Sequence, residues 1–599
     1  MVALFYPRTL RTAKNFMSQL QETRFGTHVY VALFSMVDIA KSNRCNPNHG
    51  FCEHVRSQDL HHKVIANNHT IRRGEAMLRT LASATRDRLL RQARSLTSTA
   101  LASSYFNSPA AKQSDPRRFC VVGSGPAGMY AADRLLAAFG DDAKVDVIEK
   151  LPTPFGLVRS GVAPDHAGTK SVVNRFDNIL KDPRVEYLGN VSFGEHVGLD
   201  DLFARYSATV LCYGAEGDKK LNVPGEDMPG SHSAREFVGW YNGDPRCVED
   251  LDGPIKAALT GAHGGDTAVI FGLGNVAVDC ARMLLRSPPH LAATDVCEHA
   301  LEALRTSSVR RVVMVGRRGV AQAAFSPKEL RELLNLPGVT VTVDPTELTL
   351  APEDEADLAA QRPRRRAYEA IVKSIESPPA GTEKDKDGTD GGARELVLKF
   401  LRSPAEFTPN EDDGASVGAV TLGVNRLEGV SGSRRAVPTG DTERLDRVSL
   451  VLRSVGYKGA PAKGVKAGFP FDLERGVVPN VAGRVMEKMG GYPTHVTGMY
   501  VAGWLKRGPY GIIGTNLQCA EETVGSIAED AAAGRLRRPD YRFKGKGVRA
   551  LVESRGVKVV DAEGWARIDA AERAAGEAIG KPREKMVSVD EMVALGGRD

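Results

Sequence analysis

The sequence predicts an α/β protein with two Rossmann-like dinucleotide-binding domains. Three observations predict that class. A glycine fingerprint, Gly123–Gly128, is framed by an apolar strand, an Ala/Leu-rich helix and a second strand that ends in an acid. A second fingerprint, GxGxxA over Gly272–Ala277, follows another apolar strand. A pair of arginines, Arg317 and Arg318, then stands where such units commonly carry an acid.

The first unit reads FCVVGSGPAGMYAADRLLAA. Phe119–Val122 is the strand, Gly123, Gly125 and Gly128 make GxGxxG, and Met129–Ala138 continues as helix. Gly123 allows the tight turn, Gly125 lets backbone approach a pyrophosphate, and Gly128 lets the helix pack on the strand. The helix amino end then turns its N–H groups and positive dipole end toward phosphate. Val145–Ile148 forms the next strand and ends in Glu149, about 20 residues on, where a carboxylate accepts from ribose hydroxyls.

The second unit reads TAVIFGLGNVAVDCARMLL. Ala268–Phe271 is its strand, Gly272, Gly274 and Ala277 its fingerprint, and a helix follows. Val309–Val315 reads as the next strand and ends in Gly316-Arg317-Arg318-Gly319. An acid there would repel a 2′-phosphate, whereas guanidinium groups bind one bidentately. The second unit is therefore expected to take NADPH. The first, with a ribose-binding acid and no arginine pair, suits FAD.

The rest of the chain fits a large soluble or peripheral protein. Its 599 residues allow about three or four domains. No run approaches the roughly 20 apolar residues of a membrane helix. Residues 1–118 carry 18 Lys/Arg against 7 Asp/Glu, so the formal +6 divides into +11 there and −5 beyond. A slightly acidic body argues against a general nucleic-acid binder. The eight cysteines form no CxxC and no metal-ligand spacing, so no metal site is expected and the thiols fit a reducing compartment. Residues 1–116 read as an extension. Within it, about 77–116 is rich in Arg, Ser and Thr and reads as a mitochondrial-type transit segment. Residues 1–76 read as disordered, or as lying upstream of a natural start at Met77. Pro378–Ala393 is a polar low-complexity insert, read as a mobile loop.

Beyond these units, EKLPTPFGLVRSGVAPDH (Glu149–His166), FVGWYNGDP, VGRRG, FSPKELREL, GWLKRGPYGIIGTN and GKPREKM run in order to the end of the chain. Together with GSGPAG and GLGNVAVDCARMLL they resemble the adrenodoxin reductase family, the mitochondrial-type ferredoxin–NADP reductases. The resemblance implies an NADPH domain, 218–458, inserted into a discontinuous FAD domain, 117–217 and 459–599. It implies FAD contacts at Ala127, Glu149, Leu157, Phe193, Trp504, Gly511, Ile512 and Ile513. It implies NADP contacts at Leu273, Asn275, Val276, Arg317, Arg318, Glu329 and Gly511, and it brings His166 and Asp279 near the flavin, with proton handling or a structural hydrogen bond as their role. Tyr510 and the GTNL that follows Ile513 depart from the family pattern, and Met486–Val496 is longer than usual.

The implied reaction passes hydride from NADPH to FAD and then single electrons to a small acidic [2Fe–2S] ferredoxin. No side chain is expected to serve as an obligatory acid or nucleophile, and no cysteine cluster is present to hold an iron–sulfur centre of the enzyme's own. The resemblance places ferredoxin docking on Lys328, Arg331, Arg362, Arg364, Arg365 and Arg366, where opposite charges speed encounter. It also implies the mitochondrial matrix or the matrix face of the inner membrane. Two alternatives stand beside this reading: another FAD/NADPH enzyme, such as a flavin monooxygenase, and a non-catalytic nucleotide-sensing protein.

Overall fold

The computed structural model describes residues 116–597 apart from 262–263, 377–393, 466–467 and 490. Residues 1–115, which include most of the segment read as a transit peptide and Cys45 and Cys52, lie outside the described residues, as does the whole 378–393 insert. In chain order the strands begin with β1 (Arg117–Val122), β2 (Ala143–Ile148), β3 (Val185–Leu188) and β4 (Ala208–Leu211). Next come β5 (Gly217–Asp218), β6 (Ser231–Ser233), β7 (Thr267–Phe271), β8 (Arg311–Val315), β9 (Val339–Val343) and β10 (Arg394–Lys399). The last group is β11 (Arg402–Pro409), β12 (Val417–Glu428), β13 (Arg435–Leu445), β14 (Val448–Arg453), β15 (Tyr457–Lys458), β16 (Asn480–Val481), β17 (Arg484–Met489) and β18 (Tyr492–Val501).

Two sheets carry the fold. The first has the order β16-β17-β18-β4-β1-β2-β3, parallel from β18 to β3. The second has the order β6-β14-β7-β8-β10-β9 and is parallel throughout. Parallel strands need both faces covered, which is why β1 is apolar at consecutive positions rather than alternating. Phe119 and Val121 pack with Met129 and Leu135 of helix Pro126–Phe139 and with Val524 and Ile527 of helix Thr515–Ala532. Cys120 and Val122 face the other way, onto Leu202, Tyr206 and Val552. One face of the second sheet meets the antiparallel β11-β12-β13 layer, where Phe271 stacks on Phe407 at 5.7 Å.

The chain crosses between the sheets twice, through β5 and β15, which pair antiparallel with Asp218 opposite Tyr457. Sequence and structure differ in detail along the late strand and helix. The strand expected over Gly498–Gly503 is Tyr492–Val501, because the long 486–496 stretch pairs back on β17 as a hairpin. It stops short of Gly503, whose φ of 70° breaks the ladder. The helix expected from Ala520 begins at Thr515, so the polar TNLQ segment is its first turn. The strand expected from Val309 begins at Arg311. The six cysteines among the described residues are all buried and free.

A buried polar seam ties the first sheet's elements to those of the second. Lys170 Nζ donates to Asp295 at 2.7 Å, Lys585 Nζ stands 3.3 Å from the same carboxylate, and both donate to Asn242 Oδ1. Lys581 reaches Glu298 at 3.2 Å and Glu584 at 2.6 Å. Burial, and then the like charge of Lys585, push the Lys170 ammonium down to about 7 in spite of Asp295. Burial alone would raise Asp295; the ammoniums of Lys585 and Lys170 outweigh it and hold that carboxyl down to about 2.

The sign of the Lys170 effect fixes a prediction. A lysine depressed in the folded state leaves the unfolded chain holding more protons between about pH 7 and the ordinary lysine value of 10.5, so stability rises with pH across that window. Between pH 7 and 9 the melting temperature of the wild type is expected to gain roughly 1–3 °C on Lys170→Met. A difference that stays flat over that range would mean the ammonium remains fully protonated in the fold.

Candidate functional site

Each fingerprint forms a cradle at the carboxyl end of its sheet. In the first, Gly123 adopts φ 102° and a Cβ there would press on the Cys212 carbonyl, while a Cβ on Gly128 would overlap the Gly123 carbonyl oxygen. Only glycine lets strand, turn and helix close this tightly. Gly125 differs: a Cβ would meet nothing within 4 Å, and it caps helix Pro126–Phe139, whose Pro126 fills the first helical position. Open space thus lies directly before the helix amino end, the setting a pyrophosphate requires.

Glu149 closes one side of this cradle. Its carboxylate accepts from Ser124 N–H at 2.9 Å, from Ser124 Oγ at 2.7 Å and from Leu151 N–H at 3.3 Å. Ser124 Oγ also accepts from the Phe155 N–H. Phe155 is a buried non-glycine residue at φ 81°, a conformation that costs on the order of 1–3 kcal/mol. It is held edge-on by Trp565 at 5.7 Å, and Gly156 beside it passes close to the Gly125 Cα. Arg159 on the next short helix is gripped by both oxygens of Glu572, a fully buried carboxylate, and lies over the Trp565 ring. The C-terminal helix Ala562–Ala578 therefore sets the loop bearing Leu157. Sequence reasoning missed Trp565 and Glu572, because their partners lie 413 positions away in the case of Arg159.

The late strand supplies the opposite wall. Gly503 meets Ala127 so closely that a Cβ would collide with its methyl group. Trp504 packs on Tyr457 at 5.2 Å, at the place where β15 crosses between the sheets. Arg507 holds the turn beyond: it donates to the Tyr510 carbonyl, to Thr515 Oγ1 at 3.2 Å and to Asn516 Oδ1 at 3.0 Å, with its guanidinium over the Tyr510 ring. Gly511 sits in that turn at φ 92°. Leu157, Tyr510 and Ile512 are exposed apolar side chains, and Ile513 is half-buried, which suits a surface that a flat ring system covers. Phe193 lies deeper, 7% exposed, its ring 6.2 Å from Tyr213.

The second cradle repeats the arrangement. Gly272 adopts φ 133° with a Cβ's space taken by the Ser454 carbonyl, Gly274 faces open space as the cap of helix Asn275–Leu285, and Ala277 is buried. Leu273 and Asn275 bind the 324–326 segment, the carbonyl and side-chain oxygen accepting from the Ala324 and Ser326 N–H groups. Val276 is half-buried. Arg317 and Arg318 are exposed at the end of β8. Burial, and then the like charges of Arg317 and Arg364, push Arg318 below the ordinary arginine range. Three guanidiniums converging there make a site for an anion such as a phosphate.

An ionic cluster joins the Asp165–His166 segment of the first domain to the helix of the second cradle. Arg282, 0% exposed, donates to Asp165 at 2.5 and 3.0 Å and to Asp279 at 2.7 Å, with Glu329 3.7 Å away. His166 Nε2 stands 2.8 Å from Glu332 and 3.3 Å from Glu329. Burial outweighs Arg282 and His166 at Asp279 and pushes that carboxyl up to about 6. His166, Asp279 and Glu329 are thus brought together, and the ligand atoms of His166, Glu329 and Glu332 come within 4.8 Å of one another. Arg282 and Lys328 already supply positive charge beside those carboxylates.

The basic residues read from sequence separate into two groups. Lys328 and Arg331 are exposed on helix Pro327–Leu334, and Arg362, Arg365 and Arg366 are exposed on helix Arg362–Glu376 packed beside it. Arg364 turns inward toward Arg318.

Comparison with known proteins bears on this geometry. The NAD(P)-binding Rossmann-like domain family matches residues 121–185. The chain is 45% identical over 496 residues to the mitochondrial NADPH:adrenodoxin oxidoreductase of Arabidopsis thaliana, covering 82% of this chain and 98% of that protein. It is 44% identical over 483 residues to the human mitochondrial NADPH:adrenodoxin oxidoreductase, covering 80% and 92%. The solved structure of Mycobacterium tuberculosis FprA in complex with NADPH is 40% identical, with a TM-score of 0.69 over 80% of this chain and 99% of that one. A chain that carries two such cradles and is this similar over its whole described length belongs to the adrenodoxin reductase family of NADPH-dependent oxidoreductases.

Proposed function

We propose that this protein passes electrons from NADPH through FAD to an adrenodoxin-type ferredoxin. The observation that carries the reading is the presence of two glycine cradles in one chain, one closed by Glu149 and the other ending beside Arg317 and Arg318, with Arg282 of the second domain ion-paired to Asp165 of the first. What FAD supplies when bound is the exchange between a nicotinamide's hydride and the single electrons that an iron–sulfur acceptor takes. The chain supplies position. In this reading residues 117–217 and 459–599 hold FAD and residues 218–458 hold NADPH. Glu149 orients the FAD ribose, and Trp504 with the Gly511–Ile513 turn shapes the flavin end, with Leu157 beside it. Gly511 also borders the nicotinamide, and Leu273–Val276 with Glu329 line its path. Approach of the two rings needs the cleft walls held at fixed separation, which the Arg282 and Lys170 clusters provide. In this reading His166 and Asp279 lie near the flavin, hydrogen-bonded to Glu332 and Arg282, and serve either proton handling or a structural hydrogen bond.

The acceptor in this reading is a small acidic [2Fe–2S] ferredoxin docking on Lys328, Arg331, Arg362, Arg365 and Arg366. The setting is the mitochondrial matrix or the matrix face of the inner membrane, in keeping with the relatives named mitochondrial and the Arg-rich 77–116 segment. Oxygen consumption with an organic substrate, rather than ferredoxin reduction, would favour the monooxygenase alternative.

Four outcomes test the reading. Arg317→Ala with Arg318→Ala is expected to raise the NADPH KM about 10- to 100-fold with NADH little affected, since charge-assisted contacts are worth roughly 1.5–3 kcal/mol; unchanged discrimination in steady-state assays would refute the 2′-phosphate role. Gly125→Ala should fold normally, its methyl entering open space, yet lose FAD affinity in fluorescence titrations of the apoprotein. Gly128→Ala should lose both thermal stability and flavin, because its methyl overlaps the Gly123 carbonyl. Neutralising Arg362, Arg365 and Arg366 is expected to weaken ferredoxin reduction about tenfold and spare a small dye acceptor. Equal loss with both acceptors would exclude docking there.

A further inference from the structure

The segment Arg535–Arg549 reads RLRRPDYRFKGKGVR, with seven Lys/Arg and one acid, Asp540, in a body whose net charge is negative. It forms a loop pinned against the amino ends of the first sheet. The Arg537 N–H donates to the Ser207 carbonyl just ahead of β4, the Asp540 N–H to the Ala204 carbonyl, and Arg118 at the start of β1 donates to the Gly545 carbonyl. Arg205 lies over the Phe543 ring at 4.0 Å and Arg537 over the Phe203 ring at 4.1 Å, which fixes the loop's inner side. Its outer side carries Arg538, Tyr541, Lys544 and Lys546, and Tyr541 is 85% exposed. Arg535 and Arg542 are also exposed, paired with Asp530 and Asp540. Asp141 and Asp142 share this end of the sheet ahead of β2, and the balance stays basic.

We propose that this loop is a docking surface for an anionic lipid bilayer. Basic side chains attract a negatively charged leaflet, and a protruding tyrosine settles at headgroup level. An acidic protein partner fits the loop less well. Protein interfaces are centred on a packed apolar patch, and Tyr541 is flanked here by charged residues. The position also matters. The loop lies at the amino ends of the strands and the cradle at their carboxyl ends, separated by the six residues of β1, about 20 Å. An electron acceptor seated on the loop would face the wrong end of the sheet, whereas a membrane there leaves the cleft open to solution. The inference deepens the membrane-face placement proposed above, and its test does not depend on turnover.

The test uses the full chain and sedimentation with vesicles of phosphatidylcholine alone or with 30% cardiolipin, at low and at high salt. Cardiolipin vesicles are expected to pellet the protein at low salt and release it at high salt. Arg538→Glu with Lys544→Glu and Lys546→Glu should reduce pelleting at least tenfold while NADPH-driven dye reduction stays at the wild-type level. The N-terminal extension is also basic, so a local readout decides the surface: acylation of Lys546 should slow at least threefold when vesicles are bound. Equal Lys546 reactivity with and without vesicles would overturn the proposal, as would pelleting unaffected by the charge reversal. If the reversal abolished ferredoxin reduction and left pelleting untouched, the loop would be a protein-docking site and the lipid assignment wrong.

Discussion

The arrangement of the two cradles depends on one buried guanidinium. Arg282 has no contact with solvent, so its charge is tolerable only because Asp165 and Asp279 neutralise it through directed hydrogen bonds. Asp165 belongs to the loop that follows β2, and Asp279 to the helix that opens from the second cradle. One side chain therefore ties the Asp165 segment of the first domain to the second cradle's helix. Removing Arg282 would leave the buried Asp165 and Asp279 carboxylates without their main counter-charge, a loss on the order of 3–5 kcal/mol. The Lys170–Asp295–Lys585 group repeats the device farther along the seam, with two ammoniums around one carboxylate.

The two seams differ in how firmly they hold their protons. Lys170 is pushed down toward neutrality by burial and by Lys585, whereas the Arg282 guanidinium cannot give up its proton in any accessible range. Burial pushes the Asp279 carboxyl up to about 6 even though Arg282 donates to it.

Much of this architecture was readable in the sequence, and what was not has a physical reason. The strand–glycine–helix units are local: each needs only some 20 consecutive residues, and Gly123, Gly128 and Gly272 announce backbone approaches that admit no side chain. The arginine pair at β8 is local too. The Arg282 cluster is not, since Arg282 and Asp165 stand 117 positions apart and nothing in either neighbourhood marks the pairing. Arg364 was read with its charged neighbours on a run of arginines, but helical geometry turns it toward Arg318 while Arg362, Arg365 and Arg366 stay exposed. The period of a helix separates residues that a linear run groups together. The 486–496 stretch was visible only as extra length, because a hairpin extending a sheet edge depends on which strand it returns to.

The longest-range dependence runs through Phe155. Its left-handed backbone is unfavourable for a bulky residue and persists only where the surroundings over-determine it. Here the constraints come from both ends of the chain. Ser124 in the cradle accepts its N–H, and Trp565 and Glu572 on the C-terminal helix hold its ring and the following Arg159. The turn that carries Gly156 against Gly125 is thus bent by residues more than 400 positions downstream in the case of Glu572. The same carboxylate also binds Arg583 and the N–H of Met586, the neighbour of Lys585 in the Asp295 seam. Cradle, C-terminal helix and domain seam form one connected set of buried charges and strained backbone. The first sheet's core also takes Val560, Trp565, Ile568 and Met592 from this end of the chain, so a change there reaches the core and the glycine turn together.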